Sequence, residues 1–126
     1  MGKRIIIADD SRTARMFIKQ CFEIAGFTDC QFLEAGDGVE ALRYLEAPET
    51  VDLIVTDLNM PNKDGVELLK AVKMSPKWNK LPVIVITSTK NESKEAILKD
   101  LGVFAIIGKP VTPAKVADFV KTLPIK

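Results

Sequence analysis

At 126 residues, with 47 % hydrophobic and 28 % charged side chains, the chain has the size and composition of one globular domain with a sizeable core. Eighteen basic residues against 17 acidic ones leave a net charge of +1, too little to draw in nucleic acid or a strongly acidic partner. The absence of histidine and the presence of only two cysteines exclude Ser-His-Asp and Cys-His nucleophiles, most zinc hydrolases and a structural zinc site, which needs about four ligands.

Met1-Gly2-Lys3-Arg4 is basic, but the Ile5-Ile6-Ile7-Ala8 run is too short for a secretory signal and closes on Asp9-Asp10. No apolar stretch approaches membrane-spanning length, so a cytoplasmic protein is expected, without membrane association. Lys3 to Ala8 reads as a first strand, apolar on both faces in the manner of a parallel sheet. Ser11 suits the N-cap of a helix running to about Ala25, with Ala14, Phe17, Ile18, Cys21, Phe22 and Ala25 on one face and Gly26 as its stop. Thr28 to Glu34 forms a second strand. Gly36-Asp37-Gly38 then turns into a helix carrying Val39, Leu42 and Leu45, which Pro48 separates from the third strand.

Val51 to Thr56 is that third strand, again buried on both faces, and it delivers Asp57 before Met60-Pro61 ends the run. Asp64 caps a helix with Val66, Leu69 and Val72 inward, broken by Ser75-Pro76. Leu81 to Ile86 is the fourth strand, closing on Thr87-Ser88-Thr89, and a shorter helix through Ala96, Ile97 and Leu101 reaches Gly102. Val103 to Ile107 is the fifth strand, closing on Gly108-Lys109-Pro110. Thr112 or Pro113 opens the last helix, whose apolar side is Val116, Phe119 and Val120. Cys21 and Cys30 are expected as buried small hydrophobes rather than a disulfide. Phe17, Phe22, Phe27, Phe32 and Phe119 are assigned to the core, and Trp78, in a polar stretch, to anchoring a loop.

Strict alternation of five strands and five helices implies an α/β fold: a parallel sheet in the order 2-1-3-4-5, right-handed crossovers and helices on both faces. In such a sheet the residues closing the strands meet at one rim. Here they are Asp9-Asp10, Asp57, Thr87 and Lys109. Each alone has an ordinary explanation, as a charged helix start, a turn residue, loop polarity or a solvated lysine. Jointly they place three carboxylates across the first and third strands, where like charges call for a cation, and magnesium suits a few carboxylates plus water and phosphate oxygen. A hydroxyl from Thr87 and an ammonium from Lys109 complete a receptor for a dianionic phosphoryl group, with Asp57 as the nucleophile that becomes an aspartyl phosphate.

At these residues the chain resembles the receiver domains of two-component response regulators over essentially its whole length. The motifs are Asp9-Asp10, Glu34-Ala35-Gly36-Asp37-Gly38-Val39-Glu40-Ala41-Leu42, Asp57-Leu58-Asn59-Met60-Pro61-Asn62-Lys63-Asp64-Gly65, Thr87-Ser88 and Lys109-Pro110. The resemblance implies a flavodoxin-like doubly wound fold and phosphorylation of Asp57 by the phosphohistidine of a sensor histidine kinase or phosphotransfer protein. It further implies magnesium held by Asp10, Asp57 and the Asn59 carbonyl with Asp9 assisting, and Lys109 paired with the phosphoryl oxygens. Thr87 would move onto the phosphate and reshape the fourth helix, fifth strand and fifth helix, where a downstream target protein binds. A cis Lys109-Pro110 peptide and a role for Thr89 in phosphate lifetime are also implied.

One residue departs from that pattern. Many members carry an aromatic three residues before the lysine that swings inward, whereas this chain has Ile106, so switching is expected to rest on the loop after Thr87 and on the fourth helix. Only Leu123-Pro124-Ile125-Lys126 come after the last helix, so the expectation is a monomeric receiver over 1–126 with no attached output domain, acting on a separate protein. The contact surface is expected around Ile106, rimmed by Lys90, Lys94, Lys115 and Lys121, although lysines there also keep an edge strand soluble. The protein is then a switch rather than an enzyme, catalysing only its own phosphorylation and dephosphorylation. A magnesium-dependent aspartyl-phosphate phosphatase is the rival, but such enzymes usually place a second aspartate where Asn59 stands. A pseudo-receiver that binds without being phosphorylated sits poorly with the intact acidic set.

Overall fold

The computed structural model describes residues 2–88 and 91–123, so Met1, Thr89, Lys90 and the tail 124–126 lie outside the described residues. Its elements alternate as the sequence requires: β1 Lys3–Ala8, α1 Arg12–Ile24, β2 Cys30–Ala35, α2 Gly38–Glu46, β3 Leu53–Asp57, α3 Gly65–Met74, β4 Val83–Thr87, α4 Glu92–Asp100, β5 Ala105–Gly108 and α5 Pro113–Val120. The strands form one parallel sheet in the order β2-β1-β3-β4-β5, a flavodoxin-like arrangement. None of the described helices is long and apolar enough to cross a membrane.

The unbroken apolar strands reflect helices on both sheet faces. Because side chains alternate along a strand, Ile5 and Ile7 of β1, Val55 of β3 and Ile84 and Ile86 of β4 enter one core layer, beneath α1 and α5. Ile6, Ala8, Ile54, Val83 and Val85 enter the other, beneath α2, α3 and α4. α1 closes its layer with Ile18, Cys21 and Phe22, and the Phe22 ring meets Phe27 edge-on with centroids 5.5 Å apart. Both cysteines are free thiols, as the sequence suggested; Cys21 is buried, but Cys30, on the edge strand β2, is only half-buried.

The expected caps are in place. Ser11 Oγ accepts from Ala14 N, Asp64 forms a capping box with Glu67, and Thr112 precedes Pro113 at the start of α5. Gly26 and Gly102 stop α1 and α4 at φ 117° and 88°, a backbone region that favours glycine.

Several strand starts are later than expected, for a shared reason. Val51, Leu81 and Val103 are apolar and half-buried, but they belong to the approaches to strands rather than to the ladders. Leu81 N donates to Trp78 O in a turn, and Val103 N closes the end of α4 on Leu98 O. β2 likewise begins at Cys30 rather than at Thr28, and Asp57, Thr87 and Gly108 are the final residues of their own strands.

The helix faces also need correction. Phe17 is 48 % exposed, because the inward arc of α1 runs through Ile18, Cys21 and Phe22 and leaves it at the margin. In α2 the buried line is Gly38, Ala41 and Leu45, so Val39 points outward. α4 buries only Leu98, with Ala96 and Ile97 exposed. Trp78 is half-buried against the α2–α3 layer and anchors its loop as expected.

Candidate functional site

Asp9, the residue after β1, is 1 % exposed; Asp57, the last of β3, 7 %; Thr87, the last of β4, 6 %. They meet because β1 and β3 are hydrogen-bonded neighbours where the strand order reverses, with β4 next to β3. Carboxylate oxygens of Asp9, Asp10 and Asp57 all lie within 4.8 Å of one another, with Asp10 on the exposed side. From the end of β5 comes Lys109, whose Nζ stands 3.7 Å from Asp9 Oδ2 and 3.6 Å from Asp57 Oδ1. These distances are those of charge pairs at slightly more than hydrogen-bond length.

Each side chain is aimed by backbone. Asp9 N donates to Ala35 O, and Asp9 Oδ1 accepts from Ser11 N at 2.8 Å. Asp57 Oδ1 accepts from Leu58 N at 2.8 Å, which leaves Oδ2 as the oxygen without that amide. Lys109 N donates to Thr87 O at 2.9 Å, so β4 and the lysine loop are tied at the rim itself, and the Lys109-Pro110 peptide is cis.

The loop after Asp57 is closed by Gly65 N donating to Leu58 O. Glycine is needed there, since a Cβ at position 65 would run into the carbonyl oxygen of Asp57. Asn62 takes a positive φ of 63° in the same loop. Asn59 is exposed on it, two residues beyond Asp57.

Three carboxylates around one lysine leave a charge imbalance. Burial, partly opposed by the Ser11 amide, pushes the Asp9 carboxyl above its usual range; the charges of Asp57 and Asp10 push the same way and Lys109 pulls back. Asp9 Oδ2 is buried without a hydrogen-bond partner. A buried carboxylate oxygen lacking a donor, beside two more carboxylates, fits a hard divalent cation with all-oxygen coordination. The residues that could hold it are Asp9, Asp10 and Asp57, with Asn59 offering a carbonyl at the lip.

Three residues make contacts that the sequence does not name. Arg15 Nη1 donates to Asp9 O at 2.7 Å while its Nε pairs with Glu34 at 2.9 Å, bracing the β1–α1 loop against β2. Asn62 bonds the N-cap Asp37. Lys115 donates from Nζ to Gly108 O and Pro110 O, so this ammonium is occupied by its own loop and is a poor member of the expected basic rim. A basic residue in the first turn of a helix opposes the helix dipole, and that was the available signal for Lys115. Beside Lys109, an apolar cleft of about 470 Å³ opens between Phe17 and Ile18 of α1 and Pro110 and Val111 of the following loop.

A doubly wound sheet with an acidic trio, a threonine and a lysine on one rim is the architecture of a receiver-type signalling domain. The chain belongs to the response regulator receiver domain family, whose profile matches residues 5–121. Among individual proteins it is similar to the chemotaxis protein CheY1 of Helicobacter pylori, 34 % identical over 110 residues, which are 87 % of each chain. It is 36 % identical over 110 residues to a chemotaxis protein CheY homolog of Campylobacter jejuni, covering 87 % of this chain and 83 % of the relative. The structure of Vibrio cholerae chemotaxis protein CheY4 superposes with a TM-score of 0.84 at 26 % identity, covering 98 % of this chain and 99 % of the other.

Proposed function

We propose that the protein is a cytoplasmic, phosphorylation-activated switch that accepts a phosphoryl group on Asp57 from the phosphohistidine of a sensor histidine kinase or phosphotransfer protein. The observation that carries this reading is Lys109 Nζ between two buried carboxylates, 3.6 Å from Asp57 Oδ1 and 3.7 Å from Asp9 Oδ2. With Oδ1 engaged by Leu58 N, Asp57 Oδ2 attacks phosphorus; the O–P bond forms as the N–P bond breaks, and the donor imidazole leaves with the bonding pair. Lys109 then pairs with the phosphoryl oxygens, and Thr87, at the end of the adjacent strand, donates its hydroxyl to them. Magnesium, held by Asp9, Asp10, Asp57 and the Asn59 carbonyl, would neutralise the carboxylates and the charge on the transferred group. The donor ring would enter over the apolar cleft beside Phe17 and Pro110.

Output runs through a change in affinity for a downstream protein. Its contact surface is α4, β5 and α5: exposed Ile97 and Lys94 on α4, half-buried Ile106, and Lys121. α4 suits a moving part, since Leu98 is its one buried side chain whereas α3 buries four residues. The similarity to chemotaxis proteins favours a motility circuit. Incubation with acetyl phosphate and magnesium should add one phosphoryl mass to the protein and none to Asp57→Asn. Turnover of many phosphomonoesters instead would make it a phosphatase.

A further inference from the structure

Lys115 lies in the first turn of α5, where a cation faces the positive end of the helix dipole. Its ammonium is not spent on a carboxylate. Nζ donates to Gly108 O at 3.0 Å and to Pro110 O at 2.9 Å, the carbonyls on either side of Lys109. The backbone of Lys109 is fixed from its other flank by Lys109 N donating to Thr87 O at 2.9 Å. Three hydrogen bonds, two of them charge-assisted, therefore determine where the Lys109 side chain begins its reach toward Asp57.

We infer that Lys115 is a positioning residue for Lys109: its ammonium clasps the 108–110 backbone and so sets the distance from Lys109 Nζ to the reacting carboxylate. The inference rests on the phosphotransfer reading above. Lys109 reaches a site where its nitrogen stands 3.6 Å from Asp57 Oδ1, so where its backbone is held decides which extensions of the side chain can keep that distance. Lys115 itself touches neither carboxylate and acts only through the loop. Its own capping bond, Lys115 N to Thr112 Oγ1, uses the amide and not the ammonium, so the two functions separate by mutation.

The test uses the whole protein with phosphoramidate and magnesium, following phosphorylation by mass. Lys115→Met should slow phosphorylation roughly tenfold, the scale of a modest misplacement of a catalytic group. Lys115→Arg should recover most of the rate, and magnesium affinity, read by calorimetry, should be unchanged in both. In a Lys109→Ala background the Lys115→Met change should cost nothing further, because its effect passes through the missing side chain. Should Lys115→Met fail to fold, Lys115→Gln replaces it, keeping polar reach while losing the charge. Wild-type rates in the neutral variants, or an undiminished loss in the Lys109→Ala background, would overturn the inference. A wild-type protein that takes no phosphoryl group would instead overturn the reading on which it rests.

Discussion

Asn62 Nδ2 donates to Asp37 Oδ2 at 2.6 Å, tying the loop that leaves β3 to the N-cap of α2. The Gly38 amide adds a second tie, to Lys63 O at 2.9 Å. The loop that carries Asn59 away from Asp57 is thus moored to the start of a neighbouring helix.

Asp37 reports on that mooring through pH. The Glu40 amide foremost, then Asn62, hold its carboxyl below the usual value of 3.8. A depressed pKa contributes stability that is present above the unfolded value and lost as pH falls through the folded one. Asp37→Asn keeps a capping side chain but cannot titrate, so its urea midpoint should lose this component of the fall below about pH 4. Asp37→Ala removes the cap as well and should cost about 1 kcal/mol at neutral pH.

Asp9 behaves oppositely. Its folded pKa is raised, so the ionised group weakens the metal-free fold, and that penalty vanishes on acidification below the unfolded pKa. Asp9→Asn should raise the melting temperature measured without metal. Magnesium at about a hundred times its dissociation constant should stabilise the wild type by about 2.7 kcal/mol. The variant should gain distinctly less. A larger gain in Asp9→Asn than in the wild type would contradict metal binding at this trio.

Gly65→Ala should be disproportionately damaging for a change of one methyl. The added carbon meets the carbonyl of Asp57 and displaces either the loop or Asp57, at about 1 to 3 kcal/mol in urea unfolding. Phosphorylation by acetyl phosphate should slow in the same variant even at temperatures where it is fully folded.

Ile106 is half-buried against the α2–α3–α4 layer. A branched aliphatic side chain has no ring to swing, so structures of the free protein and of a beryllofluoride-bound form should differ in the 88–98 segment and hardly at the Ile106 rotamer. An Ile106 movement as large as an aromatic swing would refute this account of switching. Ile97→Asp should change stability by less than about 0.5 kcal/mol, because residue 97 is 48 % exposed, yet weaken target binding in titration calorimetry.

Much of this was legible in the chain itself. Runs such as Ile5-Ile6-Ile7-Ala8 and Val83-Ile84-Val85-Ile86 cannot be mistaken once each ends in a polar residue, and those polar ends carry the site. Where strands begin was not legible, since Leu81 and Val103 are as apolar as true strand residues and only their amide partners exclude them. Phe17 looked like core because hydrophobic spacing cannot tell the middle of an inward arc from its margin. Lys115 and Arg15 grip carbonyl oxygens, which every residue possesses, so the side-chain pattern does not name their partners, and a lysine in the first turn of α5 marks only that Lys115 is out of place there.

The outward placement of Phe17 gives it a different meaning. It borders the cleft at Lys109 yet neither belongs to the acidic trio nor supports the sheet from within. On the proposed phosphotransfer reading, replacing it should change how readily one phosphodonor is used relative to another, while the acidic trio and the packing of the sheet stay as they are.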